Sequence, residues 1–153
     1  MFFTHTGKSF ASLAPMKSEK KDQTVHTHVR ELQKRFRMHG KVWEDGEKSG
    51  VTPSHYLLLF YANECMLKAR FLEKNQLTTT RDFKTYFEGR GKYGYEHDLI
   101  GWIRELGEPP QASRFKLKQK DIKLAHQKFR YGKKVSDEQK EFLKMLYTEL
   151  KKL

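Results

Sequence analysis

An arginine and a histidine, Arg90 and His97, stand with six residues between them, just before an apolar segment that is predicted to be a helix. A histidine in the first turn of a helix is close to the positive end of the helix dipole, which favours the neutral imidazole that a general base requires. A guanidinium beside it could stabilise the charge of a phosphorane, so that a 2′-hydroxyl could attack the adjacent phosphate without a metal. In the alternative interpretation, His97 caps its helix and has only a structural role.

A second charged group, Glu64, lies in an apolar stretch of the chain, with Lys68 four residues further on. Buried charges must be paired or hydrogen-bonded. The spacing favours an ion pair on one helix face that fixes the packing of that helix. The functional alternative makes Glu64 an acid or base, or a polar anchor for residue 97.

The elements that must position these residues are predicted to be helices. Apolar residues recur at helical spacing along the first of them, and they are Val25, Val29, Leu32, Phe36 and Trp43. Residues 44–50 are rich in turn-forming types, and Thr52 followed by Pro53 predicts an N-cap and the first residue of a second helix that runs to about Lys74. This second helix is apolar on nearly every face, which is typical of the central helix of a bundle.

Further helices are predicted in the second half of the chain. Residues 81–88 favour a short helix that ends at the glycine-rich loop 89–94, and a helix that begins near His97 ends at Gly107. A weaker helix follows, and Ser136 with Gln139 forms a capping box for the last one. No segment alternates with period two, so we expect an all-α bundle of four to five helices over residues 22–153, preceded by a flexible basic tail over residues 1–21.

Two short motifs resemble HEPN (higher eukaryotes and prokaryotes nucleotide-binding) domains. Residues 62–69, ANECMLKA, match the family's A-x-E-x-x-L-K-A, and residues 97–99 match its H-D-L. The resemblance implies a HEPN-like helical bundle that usually dimerises. Many members are metal-independent endoribonucleases of toxin or defence systems, in which the Arg and His of an R-x(4–6)-H motif from each subunit meet at a shared cleft, and others are inactive RNA-binding or interaction modules. The family's motif normally lies later in the chain, where His126 here precedes Arg130.

The charge of the chain predicts an anionic partner. Lys and Arg number 31 against 19 Asp and Glu, a formal net charge of +12, and residues 112–134 contain nine Lys or Arg and one acid. We expect RNA or another nucleic acid, although a basic face that is merely solvated, or one that binds an acidic protein partner, would have the same composition. The predicted RNA-binding residues are Arg30, Lys34, Arg35, Arg37, Lys92, Arg114, Lys116, Lys118, Lys120, Lys123, Lys128 and Arg130.

Several classes of protein are excluded by composition and spacing. The single cysteine, Cys65, excludes a disulfide framework and is expected to be an inert buried thiol. No zinc-ligand spacing or phosphate-binding Walker loop is present, so neither a metal nor a cofactor is expected. The longest apolar run is too short to cross a bilayer and the first residues do not resemble a secretory signal, which predicts a soluble, cytoplasmic protein without a membrane partner.

The sequence therefore predicts an RNA-binding, HEPN-like protein, with Arg90, His97 and Glu64 as the catalytic residues if it is a metal-independent endoribonuclease. The resemblance also implies that the protein forms a homodimer. The alternative is a non-catalytic subunit that binds nucleic acid or a protein within a larger complex.

Overall fold

The computed structural model describes residues 25–92, 96–107 and 117–153, so the predicted tail, residues 1–21, lies outside the described residues. The described segments form six helices, and none of them contains a β-strand. The helices are α1 (Val29–Ser49), α2 (Pro53–Lys74), α3 (Asp82–Glu88), α4 (Leu99–Leu106), α5 (Gln119–Arg130) and α6 (Asp137–Lys151). The all-α prediction is confirmed, and the described helices, among them the predicted short helix α3, number six where four to five were expected.

Helix α2 is the centre of the bundle, as predicted. Its apolar residues point in all directions because α1, α4, α5 and α6 all pack against it. Leu59, Phe60, Leu67 and Phe71 are completely buried. Pro53 begins the helix directly after Thr52, whose backbone N–H donates to Nδ1 of His55 at 3.0 Å. The polar groups on α2 that could do chemistry are therefore held by the most deeply packed element of the molecule.

The start of α1 differs from the sequence prediction. Val25 was expected on the apolar face of this helix, but the helix begins at Val29 and Val25 is 76% exposed. The backbone N–H of Thr27 donates to Oγ1 of Thr80 at 3.0 Å, and the N–H of Thr80 donates to the carbonyl of Thr27 at 3.1 Å. These bonds hold residues 25–28 extended alongside the turn that precedes α3.

The end of α1 also differs, because the turn-rich residues 44–50 continue the helix to Ser49. Gly46 is buried there, and a Cβ at this position would overlap the imidazole ring of His55. Gly40, six residues earlier, similarly faces the phenol ring of Tyr147 on α6. The two glycines allow close approach between helices, so their presence does not indicate a turn.

Helix α4 ends where the sequence indicates, at Gly107, but it begins at Leu99, two residues after His97. Asp98 is its N-cap and accepts a hydrogen bond from the N–H of Gly101 at 2.9 Å. Gly107 ends the helix in the left-handed conformation, with φ +68°. The Ser136–Gln139 capping box at the start of α6 is also confirmed. Among the described helices, none combines the length and the apolar character that a membrane span requires.

Candidate active site

A cleft of about 1060 Å³ opens between α1, α2, α3, the extended residues 25–27 and the segment that precedes α4. Its volume is at the upper end of the range for pockets that bind small molecules, about 300–1,000 Å³. Where α1 and α2 face the segment before α4, the cleft is lined by side chains that could do chemistry, and they are Arg35, His39, Tyr61, Glu64, Lys68 and His97. This part of the cleft is the candidate active site.

The carboxylate of Glu64 holds His97 by two hydrogen bonds. The backbone N–H of His97 donates to Oε1 at 3.1 Å, and Nδ1–H of the ring donates to Oε2 at 3.1 Å. Lys68 Nζ lies 2.9 Å from Oε1, which completes the i,i+4 pair expected from the sequence. The side chain of Glu64 is 6% exposed whereas that of His97 is 40% exposed. A buried anion thus fixes an imidazole that is accessible from the cleft.

The electrostatics of Glu64 favour an orienting role over proton transfer. Burial raises the pKa of this carboxyl, but the hydrogen bond from His97 and the charge of Lys68 outweigh burial and lower the pKa to about 2. Glu64 is therefore ionised at neutral pH, and a carboxylate of such low pKa is a weak base. Since Nδ1 of His97 donates to this carboxylate, Nε2 is the ring atom left to accept a proton.

The sequence predicts His97 in the first turn of α4, but the structure places it before the helix. The helix begins at Leu99, and the cap is supplied by Asp98, because its short carboxylate reaches the N–H of Gly101. His97 is therefore neither the cap of α4 nor a first-turn residue on which the helix dipole would act. His97 instead has φ +52°, a left-handed conformation that costs of order 1–3 kcal/mol in a residue other than glycine. The hydrogen bond from its N–H to Glu64 stabilises this backbone.

A second histidine, His126 of α5, packs against His97. The centroids of the two rings are 4.1 Å apart and their planes are inclined by 32°. Phe60 and Tyr61 of α2 lie beside both imidazoles. His126 is buried and its Nδ1–H donates to the carbonyl of Lys123 at 2.9 Å. Burial, followed by the charge of His97, lowers the pKa of His126, so its ring is neutral near pH 7.

His126 is a residue of the site that the sequence does not predict. His126 lies four residues before Arg130, but the sequence carries no signal for its contact with His97. The buried face that His126 shares with Ile122, Ala125 and Phe129 was the one available indication that its ring points into the bundle.

Arg90 is not brought to His97 in the structure. Its guanidinium lies over the ring of Tyr86, 3.6 Å from the centroid, and Nη1 donates to the carbonyl of Tyr86 at 3.1 Å. Arg90 does not line the cleft. Of the cations that line the cleft, Lys68 pairs with Glu64. Arg35, exposed on α1, lies close enough to His39 and Cys65 for its charge to favour lower pKa values of both.

The remaining predicted RNA-binding residues occupy different surfaces. Lys92 lines the cleft and pairs with Glu105 at 2.7 Å. Three exposed residues of α1 lie outside the cleft, and these are Arg30, Lys34 and Arg37. On and next to α5, Lys128 is half-buried, while Lys118, Lys120, Lys123 and Arg130 are exposed. Arg114 and Lys116 lie outside the described residues.

Two further groups of the cleft are constrained by burial. Burial raises the pKa of the Cys65 thiol to about 11, with Glu64 adding to the shift, so the thiol is protonated and unreactive at neutral pH. Burial and then the charge of Arg35 lower the pKa of His39. In the part of the chain that the structure describes, no three His, Cys, Asp or Glu residues are grouped to hold a metal ion.

No protein-family model, curated protein or solved structure shows significant similarity to this chain. Function is therefore inferred from the geometry of the cleft and the charges around it.

Proposed function

We propose that this protein is a HEPN-like RNA-binding protein that cleaves RNA in the cleft at His97 without a metal ion. The observation that carries this proposal is the orientation of His97, whose backbone and ring N–H groups are both held by the buried carboxylate of Glu64. A carboxylate that fixes the tautomer of an exposed imidazole is the arrangement that acid–base catalysis uses.

The chemistry requires only the groups in the cleft and the RNA itself. The 2′-oxygen of a nucleotide forms a bond to the adjacent phosphorus while Nε2 of His97 accepts the 2′-hydroxyl proton. The bond from phosphorus to the 5′-oxygen breaks, and that oxygen takes up a proton from solvent. The products are a 2′,3′-cyclic phosphate and a 5′-hydroxyl. Arg35 and Lys68, two of the cations that line the cleft, would stabilise the negative charge on the phosphate oxygens.

The roles of Glu64 and His126 are to position His97. Glu64 sets the tautomer, and His126 supplies a neutral ring against one face of the imidazole. Neither residue needs to contact the RNA. Because both are buried, they hold the ring in place while the solvent-accessible part of His97 meets the substrate.

The test is cleavage of single-stranded RNA by the purified full chain in EDTA, with the ends of the products analysed. We expect 2′,3′-cyclic phosphate ends, and we expect His97→Gln to lower the rate by about 100-fold or more. His28→Gln is the matched control, since His28 is an exposed histidine that does not line the cleft. The catalytic proposal would be contradicted if the wild-type chain left the RNA intact, or if the His97→Gln and His28→Gln variants cleaved RNA at equal rates.

One observation favours a non-catalytic nucleic-acid-binding module as the second candidate. Glu64 Oε1 accepts a hydrogen bond from the backbone N–H of His97, whose φ is positive. The Glu64–His97 pair could therefore serve only to hold the backbone of the segment before α4 in place. In that case wild-type protein binds RNA and leaves it whole, and His97→Gln changes the free energy of unfolding without changing RNA affinity.

A further inference from the structure

The outer face of α5 carries a row of exposed basic residues that ends in an exposed aromatic ring. Lys120, Lys123 and Arg130 are separated by three and seven residues, which places them on one side of the helix along about 15 Å of its axis. Tyr131 follows directly and is 70% exposed. We call these four residues the α5 row.

The α5 row has the charge of a surface that contacts phosphates. The one acidic residue within 117–134 is Asp121, which is half-buried in the first turn of the helix. Lys133 and Lys134, both exposed, continue the positive charge beyond Tyr131. The first acidic side chains beyond them are Asp137 and Glu138, at the start of α6.

The α5 row is connected to the candidate active site. Nη2 of Arg130 donates to the phenol oxygen of Tyr61 at 2.6 Å. Tyr61 lines the cleft, and its ring centroid is 6.2 Å from that of His97. A strand that followed the row would therefore reach the cleft at the end where the imidazole is exposed.

Tyr131 differs from the other tyrosines and from the phenylalanines and tryptophans of the described segments, because none of those side chains is exposed. Exposed aromatic rings beside Lys and Arg are the platforms on which proteins stack the bases of single strands. A duplex keeps its base faces covered, whereas an unpaired strand presents them.

We propose that the α5 row binds single-stranded RNA, with a base stacked on Tyr131 and phosphates held by the cations, and that the strand then passes Arg130 and Tyr61 into the cleft. This inference rests on the proposed function and names the substrate class of the same site. A partner that supplied only negative charge, such as an acidic protein, would bind the lysines, but its affinity would not depend on the ring of Tyr131.

The test measures binding of a short 2′-O-methyl RNA, which cannot be cut because the attacking hydroxyl is blocked. Using the full chain, we expect Tyr131→Ala to weaken binding of the single strand by about 5- to 150-fold, the range for loss of one stacked base. Tyr131→Phe keeps the ring and should bind like the wild type. The same oligonucleotide paired with its complement should bind more weakly than the single strand.

A salt titration tests the cations separately. Lys120→Gln and Lys123→Gln should each lower the slope of log affinity against log salt by roughly 0.7, the value for one phosphate of a single strand. Lys48→Gln is the control, because Lys48 is an exposed lysine at the far end of α1. All of these positions are exposed, so circular dichroism and thermal unfolding should be unchanged.

Three results would overturn the inference: no binding of the single strand, equal affinity for single strand and duplex, or equal affinity of the Tyr131→Ala and Tyr131→Phe variants. Displacement by polyglutamate as effectively as by RNA would indicate an acidic protein instead. These outcomes are distinct from failure of the proposed function. Binding to the blocked strand does not require cleavage. If Tyr131→Ala did not affect cleavage, the proposed function would still hold, but the role of the α5 row would be contradicted.

Discussion

At the scale of single residues, Glu64 is the group on which the site depends. It accepts hydrogen bonds from the backbone and the ring of His97 and pairs with Lys68 while almost entirely buried. If the charge were removed, the two N–H groups of His97 and the ammonium group of Lys68 would lack a full set of acceptors. An unpaired buried polar group lowers the free energy of unfolding substantially.

Glu64→Gln is therefore expected to lower the free energy of unfolding by about 2–3 kcal/mol, as measured by urea denaturation. Glu88→Gln is a suitable control. Glu88 pairs with Lys84 at 3.9 Å on the surface, and both side chains are more than half exposed, so the change should cost less than about 1 kcal/mol. Similar losses in the two variants would contradict the central position given to Glu64.

The low pKa of Glu64 also predicts how stability changes with acid. Because the folded-state pKa, about 2, is below the ordinary value of 4.5, the stabilisation is complete above pH 4.5 and is lost as the pH falls towards 2. The difference corresponds to about 3 kcal/mol at neutral pH. Urea midpoints between pH 7 and pH 3 should fall more steeply for the wild type than for Glu64→Gln. Parallel curves would show that other carboxyls, among them Glu44 and Asp82, account for the acid sensitivity.

At the scale of elements, α2 connects the core to the cleft, since its apolar faces pack against four helices and its polar residues line the site. Leu67, three residues after Glu64, is completely buried. Leu67→Ala is expected to cost about 2–5 kcal/mol, because neighbouring helices collapse only partly into the cavity. Leu153→Ala, at a position 73% exposed, should change stability by less than about 0.5 kcal/mol. A loss below about 1 kcal/mol for Leu67→Ala would contradict the central packing of α2.

The helices could be predicted from sequence because each has a local signal, such as Thr52–Pro53 at the start of α2 or Gly107 at the end of α4. The errors arose where a tertiary contact decided the local structure. Gly46 resembles a turn residue until His55 is known to pack on it, and the extended conformation of Val25 depends on bonds to Thr80.

The candidate site was predictable to the same extent. The Glu64–Lys68 pair is four residues apart on one helix, and the anchoring of His97 was one of the alternatives that the sequence allowed. The contact of His97 with His126 could not be predicted, because it depends on how α5 packs against α2. The left-handed backbone of His97 was likewise not predictable, since positive φ is uncommon in residues other than glycine.

At the scale of the whole molecule, the resemblance predicts a homodimer in which Arg90 and His97 share a cleft, and the structure of one chain places Arg90 on Tyr86. We expect Arg90→Gln to leave RNA cleavage within a few-fold of the wild type, because its guanidinium does not line the cleft of its own chain. The rate of single-stranded RNA cleavage is the measurement.

A large loss of cleavage in Arg90→Gln would contradict this expectation. Mixing that variant with His97→Gln would then test the resemblance directly. Recovery of activity on mixing requires that one chain supplies the arginine and the other the histidine. Sedimentation of the wild-type chain would measure the predicted dimer independently.

The glycines of α1 have a consequence for how the cleft can open. Gly40 faces Tyr147 and Gly46 faces His55, and at both positions only a hydrogen atom fits. If α1 slid along its axis by one turn, about 5.4 Å, bulkier side chains would meet these rings. The register of α1 is thus locked to α2 and α6, and the three helices are expected to move as a rigid body. Any widening of the cleft must therefore come from its other walls, which include residues 25–27, joined to Thr80 by two hydrogen bonds.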